Sequence, residues 1–530
     1  MLMSGVGASA LLAVAGCAVG PDYAAPNPWS PTSWFRAASP AAERAAERNR
    51  QTLMTSAAVD AAWWRSFNDP ILSRLVRRAA VQNLDVRTAT IRLAESRAQR
   101  RITAADEFPQ VNGNASYTRE RISPRGVASI FSGGGTSGGA TGGTQATQSN
   151  GLGGRQGGIP TGAAGGGAIP PFNLFQYGFD TTWELDIWGR VRRLIEQANA
   201  QAEASAESRR QTLVSTIAEV ARDYVQLRGA QRTEQILRED LASAQESRML
   251  TAERVRGGVA TDLDLANADA TVAAVAGQLP QVLQQKGQLI NALSFLLAQP
   301  PGALTAELAT PAPIPPAPSR VPIGVPSQLV ERRPDVRQAA AQLHAATAAI
   351  GAAKADFFPR ITLSGSLAIQ ALQLKGLGLW DARTYGLGPS LTVPIFEGGR
   401  LRATLDLRKA EQQEAAFNYQ RAVLQAFQEV DDALIAYHSE QSRQSALAAA
   451  VGANKRAVSL ATQRYRNGIS NFIEVLTAQR TLFTAQQQLV SSQAQSSTNL
   501  VQLYKALGGG WEEADRLSQA AAVGRQSAGR

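Results

Sequence analysis

With 530 residues, 44% of them hydrophobic, the chain can bury a large core, and 18% charged residues with abundant Ala, Gln and Arg bias it towards long helices. The net charge of +10 comes from Lys and Arg scattered singly through helical patterns, which reads as solvated helix faces and argues against a nucleic-acid partner. One cysteine and two histidines, Cys17, His344 and His438, exclude a disulfide framework and an ordinary zinc cluster, and no metal or other cofactor is expected.

The apolar run Ala8 to Ala15 ends in Val14-Ala15-Gly16-Cys17, which resembles the bacterial lipobox cleaved before a cysteine that becomes lipid-modified. Residues 1–16 then form a signal peptide and Cys17 is the lipid attachment site. Met1 to Ala10 carries no Lys or Arg, a departure from the positive start of such peptides, and Ala18 in place of Asp favours outer-membrane sorting by resemblance to Gram-negative lipoproteins. No window of about 18 apolar residues exists, so the chain can cross a membrane only with strands.

Residues 17–60, with Pro21, Pro26, Pro28, Pro31 and Pro40, read as an extended tether. A first repeat over 61–300 opens with Trp63, Trp64, Phe67 and Asp69-Pro70 and a helix to about Asp106. Ala105-Asp106-Glu107-Phe108-Pro109 stops that helix and starts a strand over about 108–122, with Val111, Gly113, Ala115 and Tyr117 alternating with Asn112, Asn114, Ser116 and Thr118. A Gly/Ser/Thr-rich insertion, about 126–168, leads to a second strand over 175–186. There Phe175, Tyr177, Phe179, Trp183 and Leu185 oppose Gln176, Asp180, Thr182 and Glu184. Aromatics on one face and polar groups on the other suit a strand between lipid and water.

A helical hairpin over 188–298 follows. Its proline-free stretch from Trp188 to Arg256 would extend roughly 100 Å, with a seam at Leu237, Leu241, Ala244, Arg248, Ala252 and Val255. The chain reverses at Gly257-Gly258-Val259-Ala260-Thr261, and Pro280 is expected to kink the returning helix. A Pro-rich linker, 301–326, precedes a second repeat over 327–507. Its strands are expected at about 360–370 and 385–396, and its helical hairpin, over 397–507, turns at Asn467-Gly468-Ile469-Ser470-Asn471. A tail spans 508–530. The second repeat copies the first: Ala355 to Pro359 matches Ala105 to Pro109, and Arg464-Tyr465-Arg466-Asn467-Gly468 matches Arg254-Val255-Arg256-Gly257-Gly258.

Two strands per repeat give four per chain, too few to close a barrel, and an open sheet edge in hydrocarbon leaves backbone groups unpaired. Several copies must therefore share one barrel. Two copies make a bore filled by side chains, whereas three make a twelve-stranded barrel able to hold water. The expected fold class is mainly α with a β-barrel part: two repeats of a β-hairpin plus long antiparallel coiled-coil helices, three copies forming a transmembrane barrel and a periplasmic helical barrel.

Several segments carry a family resemblance. They are Gly20-Pro21-Asp22-Tyr23, Trp64 with Phe67 and Asp69-Pro70, Glu331-Arg332-Arg333-Pro334-Asp335-Val336-Arg337, and Ile350-Gly351 with Phe357-Phe358-Pro359. Further on come Gly388-Pro389-Ser390, Gly398-Gly399-Arg400-Leu401 and Leu503-Tyr504-Lys505-Ala506-Leu507-Gly508-Gly509-Gly510-Trp511. In this order they resemble the outer-membrane factors of tripartite efflux systems, the TolC and OprM class and specifically the NodT-like lipoproteins. The resemblance implies a homotrimer in the Gram-negative outer membrane, a periplasmic adaptor and an inner-membrane pump of the RND type, and a passive duct for small molecules rather than an enzyme.

It further implies a periplasmic end held shut until the adaptor engages the hairpin tips, Gly257, Gly258, Val259 and Ala260 with Asn467, Gly468, Ile469 and Ser470. Tyr465, Arg466 and Arg480 are carried over as gate residues, with Asp262, Asp264 and Glu474 as acidic partners. The family usually reads Leu-Asp-Ala-Gln-Arg where this chain has Leu476-Thr477-Ala478-Gln479-Arg480, so Thr477 replaces the usual gate aspartate. Ordinary solvated helix charges are the alternative reading of these residues.

Other function classes fit less well. Gly135-Thr136-Ser137-Gly138-Gly139 matches a nucleophile elbow only by letter, inside a Gly-rich tract without the strand-turn-helix context the chemistry needs. A structural coiled-coil spacer explains the helices but not strands with divided faces. A duct for type I protein secretion stays open as an alternative within the transport class.

Overall fold

The computed structural model describes residues 18–27, 30–31, 34, 52–121 and 171–516. The signal peptide, Cys17, most of the tether, the insertion at about 126–168 and the end of the tail lie outside the described residues. The chain forms two compact units, one of Met1–Pro21, Arg101–Ile195 and Ala349–Leu407, the other of Asp22–Arg100, Glu196–Ala348 and Arg408–Arg530.

In chain order the elements are β1 (Leu53–Thr55), α1 (Pro70–Gln82), α2 (Leu84–Ala105), β2 (Gln110–Glu120), β3 (Phe172–Leu185), α3 (Arg190–Arg256), α4 (Asp262–Ala276), α5 (Leu279–Leu296) and α6 (Thr305–Leu308). The second half adds β4 (Arg320–Pro322), α7 (Pro326–Arg332), α8 (Pro334–Ala355), β5 (Arg360–Ala371), β6 (Arg383–Thr392), α9 (Arg400–Arg466) and α10 (Phe472–Ala506). Internal duplication is visible in lengths: α2 and α8 both have 22 residues, and α3 and α9 both have 67. The mainly helical class with a few strands agrees with the sequence reading.

The first unit is built on a four-stranded antiparallel sheet in the order β2-β3-β5-β6. Register keeps each face largely uniform, because side chains alternate with a period of two and most pairs join residues of the same kind, although near the loop end Thr118, Glu120 and Arg383 meet Leu174, Phe172 and Ile369. Tyr117 lies opposite Phe175, Tyr177 opposite Ile369, Trp183 opposite Leu363, and Leu367 opposite Tyr385. On the other face Asn112 meets Asp180, Glu184 meets Thr362, and Ser366 meets Gly386. The apolar face is uncovered by the other described residues: Phe179, Tyr385, Leu387 and Leu391 are 61%, 82%, 78% and 64% exposed.

One expectation about the strands shifts. β6 ends at Thr392, short of the expected 396, since Pro394 has no N–H to extend the ladder, while Pro389 keeps its place in the strand opposite Leu363. The chain's start approaches α8 closely through a pair of glycines. Gly20 has φ +118 and a Cβ there would lie 2.4 Å from the Gly351 Cα, while a Cβ on Gly351 would lie 2.8 Å from the Arg193 side chain, which accounts for glycine at each position.

The second unit holds the main core, with Trp63, Trp64, Phe67, Leu72, Leu213, Tyr224, Tyr437 and Tyr504 all buried. Trp63 stacks on Tyr504 with ring centres 5.1 Å apart. Asp69 caps α1 by accepting from the Ile71 and Leu72 N–H groups, and accepts from the Tyr224 hydroxyl at 2.6 Å. Arg333 is buried and donates to Asp335, to Glu429 at 2.7 Å and to the Ala506 carbonyl at 2.9 Å. Helical residues 511–516 are bound by arginines: Arg209 to Asp515 at 2.5 Å, Arg332 to Glu512 at 2.7 Å and Arg65 to Glu513 at 3.0 Å.

The helical hairpins depart from expectation in detail. The seam of α3 runs through buried Leu237, Ala244 and Thr251, a heptad line, while Arg248 turns outward to pair with Asp269. The first returning helix is broken rather than kinked: α4 stops at Ala276 and α5 restarts at Leu279 with Pro280 in its first turn. Proline there cannot donate to the Ala276 carbonyl, and Gly277 lowers the cost of the interruption. The matching stretch of α10 has Gln487-Gln488-Leu489-Val490 and is one continuous helix.

Candidate functional site

Both hairpin tips close with the same backbone device. Gly258 and Gly468 take φ +70 and +72, and the next amide reaches back, Val259 N–H to the Arg254 carbonyl at 2.8 Å and Ile469 N–H to the Arg464 carbonyl at 2.9 Å. This is a Schellman-type helix end, in which the left-handed residue is glycine because a Cβ is unfavourable at that φ. The reversal pushes Val259 and Ile469 into solvent, 68% and 66% exposed. One turn on, Leu263 and Ile473 are 70% and 50% exposed, so each tip presents an apolar pair.

The two tips are stabilised differently. After the first, Thr261 and Asp264 form a capping box: the Thr261 N–H and hydroxyl donate to Asp264 Oδ2 at 3.0 and 2.8 Å, and the Asp264 N–H donates back to Thr261 Oγ1 at 3.3 Å. After the second, Asn471 provides no side-chain cap. A small core takes over, in which Tyr465 and Phe472 pack at 5.6 Å between ring centres with Ala268, Val475 and Leu476.

Arg254 ties the tips together. Its guanidinium lies 4.5 Å from the centre of the Tyr465 ring, and its Nη1 donates to the Tyr465 carbonyl at 2.6 Å. A cation on the last carbonyls of α9 meets the negative end of that helix.

The sequence-selected gate residues divide accordingly. Tyr465 is 3% exposed and serves as the core of the tip, its hydroxyl directed at Thr251 Oγ1 at 3.5 Å. Asp264 is occupied by the capping box. Arg466 pairs with Glu246 at 3.1 Å rather than with Asp262, Asp264 or Glu474. Asp262, Glu474 and Arg480 are exposed and form no ion pair among the described residues. Thr477 turns its hydroxyl onto its own helix, donating to the Ile473 carbonyl at 2.8 Å. Asn467 is exposed and Ala260 half-buried.

Sequence reasoning missed Glu246, Arg254, Asp269, Leu263 and Ile473. The last two carried a signal, since they stand at the same place in the two repeats as Val259 and Ile469 do. Arg254 did not, because its repeat counterpart Arg464 is also an arginine. Elsewhere on α3, burial and then the neighbouring Glu239 push the Asp240 carboxyl up to about 6, and its Oδ2 is enclosed without a hydrogen-bond partner among the described residues. No helix among the described residues is long and apolar enough to cross a membrane, and these residues contain no cluster suited to a metal ion.

Comparison with known proteins agrees with this arrangement. The family model for outer membrane efflux proteins matches residues 75–299 and 325–509. The chain is 33% identical over 516 residues to the outer membrane protein OprJ of Pseudomonas aeruginosa, covering 96% of this chain and 97% of that one. It is 33% identical over 510 residues to the toluene efflux pump outer membrane protein TtgC of Pseudomonas putida, covering 96% of each. Among solved structures it is similar to the outer-membrane channel OprN, with a TM-score of 0.80, 32% identity and 94% and 100% of the two chains covered. The open state of the Neisseria gonorrhoeae MtrE outer membrane channel gives a TM-score of 0.73 at 28% identity, with 93% and 99% covered. A two-repeat chain with a membrane-type sheet and paired helical hairpins, matched along nearly its whole length, belongs to the outer membrane efflux protein family.

Proposed function

We propose that three copies of this chain form a passive exit duct for small molecules across the outer membrane and periplasm. The observation that carries the reading is the sheet of the first unit. It has one apolar and one polar face, and its outer strands β2 and β6 have no partner on one side among the described residues. In hydrocarbon such edges cost several kcal/mol per unpaired group, so β6 of one copy pairs with β2 of the next. Twelve shared strands leave room for water inside.

The helical hairpins line the periplasmic part of the duct, and the paired apolar side chains at the tips receive the periplasmic adaptor of an RND-type pump. Efflux relatives support small molecules as cargo, and the small-residue run before Cys17 supports a lipid anchor there. Arg466, Arg480, Asp262 and Glu474, exposed and not joined to one another within the chain, are available to form the closed gate between copies.

Light scattering of the detergent-extracted particle, with bound detergent subtracted, should give a mass of three chains. A stable monomer would remove the shared barrel and return the molecule to the spacer reading. In planar bilayers Arg466→Ala is expected to raise single-channel conductance; an unchanged value in a verified trimer takes Arg466 out of the gate.

A further inference from the structure

The apolar face of the sheet changes character at its loop end. On β2 the line through Val111, Ala115 and Tyr117 is continued by Arg119, and on β6 the line through Leu391, Leu387 and Tyr385 is continued by Arg383. The register sets Arg119 opposite Asn173 and Arg383 opposite Ile369, so both arginines lie on the side meant for lipid. The β5–β6 connection adds Lys375 and lays the 78% exposed Trp380 against Arg383, the guanidinium carbon 3.3 Å from the ring centre.

Arg119, Lys375 and Arg383 are exposed, and none is in an ion pair among the described residues. The acidic groups nearby are Glu120, which alternation places on the polar face, and Asp381 in the connection. Cations on a lipid-facing surface are tolerated where the hydrocarbon ends, and Trp and Tyr gather at the same level. Here they coincide at one rim.

We infer that this rim is a binding site for the headgroup of an anionic, phosphate-bearing lipid, with Arg119, Lys375 and Arg383 holding the phosphate and Trp380 and Tyr385 resting at the hydrocarbon boundary. The inference rests on the membrane reading of the sheet given above. A guanidinium offers a phosphate two parallel N–H donors, and stacking on Trp380 holds that of Arg383 in place. Arg119 and Arg383 stand on the two free-edge strands. Where β6 of one copy meets β2 of the next, they approach one ligand from both sides.

The test uses the full-length protein in non-ionic detergent with equal phosphatidylglycerol and phosphatidylcholine, bound lipid being counted by native mass spectrometry. Wild type should retain phosphatidylglycerol over phosphatidylcholine by about tenfold, a size in keeping with a few cations at an anionic surface. In Arg119→Gln/Lys375→Gln/Arg383→Gln that preference should vanish. It should persist in Lys455→Gln/Arg456→Gln/Arg464→Gln, which removes equal charge from exposed positions on α9.

Trp380→Ala keeps every charge and should lower the preference about threefold through the lost stacking, which gives a second readout if the triple variant folds poorly. Equal retention of the two lipids by wild type, an unchanged preference in the triple variant, or displacement of phosphatidylglycerol by millimolar inorganic phosphate would each overturn the assignment, the last by making it a free-anion site. Carbonate-resistant insertion into phosphatidylcholine vesicles separates the two claims. Failure to insert defeats the membrane reading, while insertion without lipid preference defeats only the rim.

Discussion

Arg333 concentrates the order of its surroundings in one side chain. It is 5% exposed as a side chain, and burial by itself would lower its pKa; the carboxylates of Asp335 and Glu429 more than offset that. Its fork also caps the end of α10 at the Ala506 carbonyl. Arg333→Ala is expected to cost about 3 kcal/mol, at the low end for a broken buried pair because both carboxylates keep some solvent, and Arg333→Lys should recover less than half for want of the fork. Urea midpoints in detergent measure both. Asp240 acts in the opposite direction. With its folded pKa raised to about 6, the folded state holds the proton longer than the unfolded chain, so stability falls as pH rises from about 4 to about 6 and is flat above. Asp240→Asn should remove that slope and stabilise the fold by about 1 kcal/mol at pH 7, after allowance for partial exposure. Equal midpoints for the two proteins at pH 7 would contradict this.

Each hairpin tip is an element whose strength comes from one glycine and one cross-tie. Gly468→Ala must place a Cβ at φ +72 and is expected to cost about 1 kcal/mol. Arg254→Ala removes both the cation over the Tyr465 ring and the donor to its carbonyl. Amide exchange at residues 464–470 should then accelerate about tenfold, equivalent to about 1.4 kcal/mol of local opening. The first tip should change less, since the Thr261–Asp264 box holds it independently. Uniform acceleration across both tips would mean that Arg254 supports the whole hairpin pair. The Arg466–Glu246 pair is 57% and 67% exposed, so its loss should barely move stability, and any effect of Arg466 variants on conductance can be assigned to the duct.

For the whole molecule the decisive feature is an unfinished sheet. β2 and β6 stand three strand spacings apart, about 14 Å, too far for a disulfide within one copy. Thr118→Cys with Thr384→Cys, on the polar face near the loop end, should therefore cross-link only between copies. Oxidation of membranes should give bands of one, two and three copies and nothing larger. A ladder running past three would indicate open association rather than a closed ring.

Much of the fold was legible because its signals are local. Alternation assigned the faces of β2, β3, β5 and β6, proline marked the helix-to-strand junctions, and Gly257-Gly258 and Asn467-Gly468 marked the reversals. These follow from side-chain periodicity and backbone sterics within a few residues, and duplication stated each of them twice. Tertiary structure decided what depends on residues far apart in the chain. It joined the two hairpins through β3 and β5, gave Arg466 to Glu246, buried Tyr465 beneath Arg254, and aligned Arg119 with Arg383 on one face. Such pairings follow from which of many similar charges and edges the packed helices and register bring within reach, and no local pattern in the sequence encodes that choice.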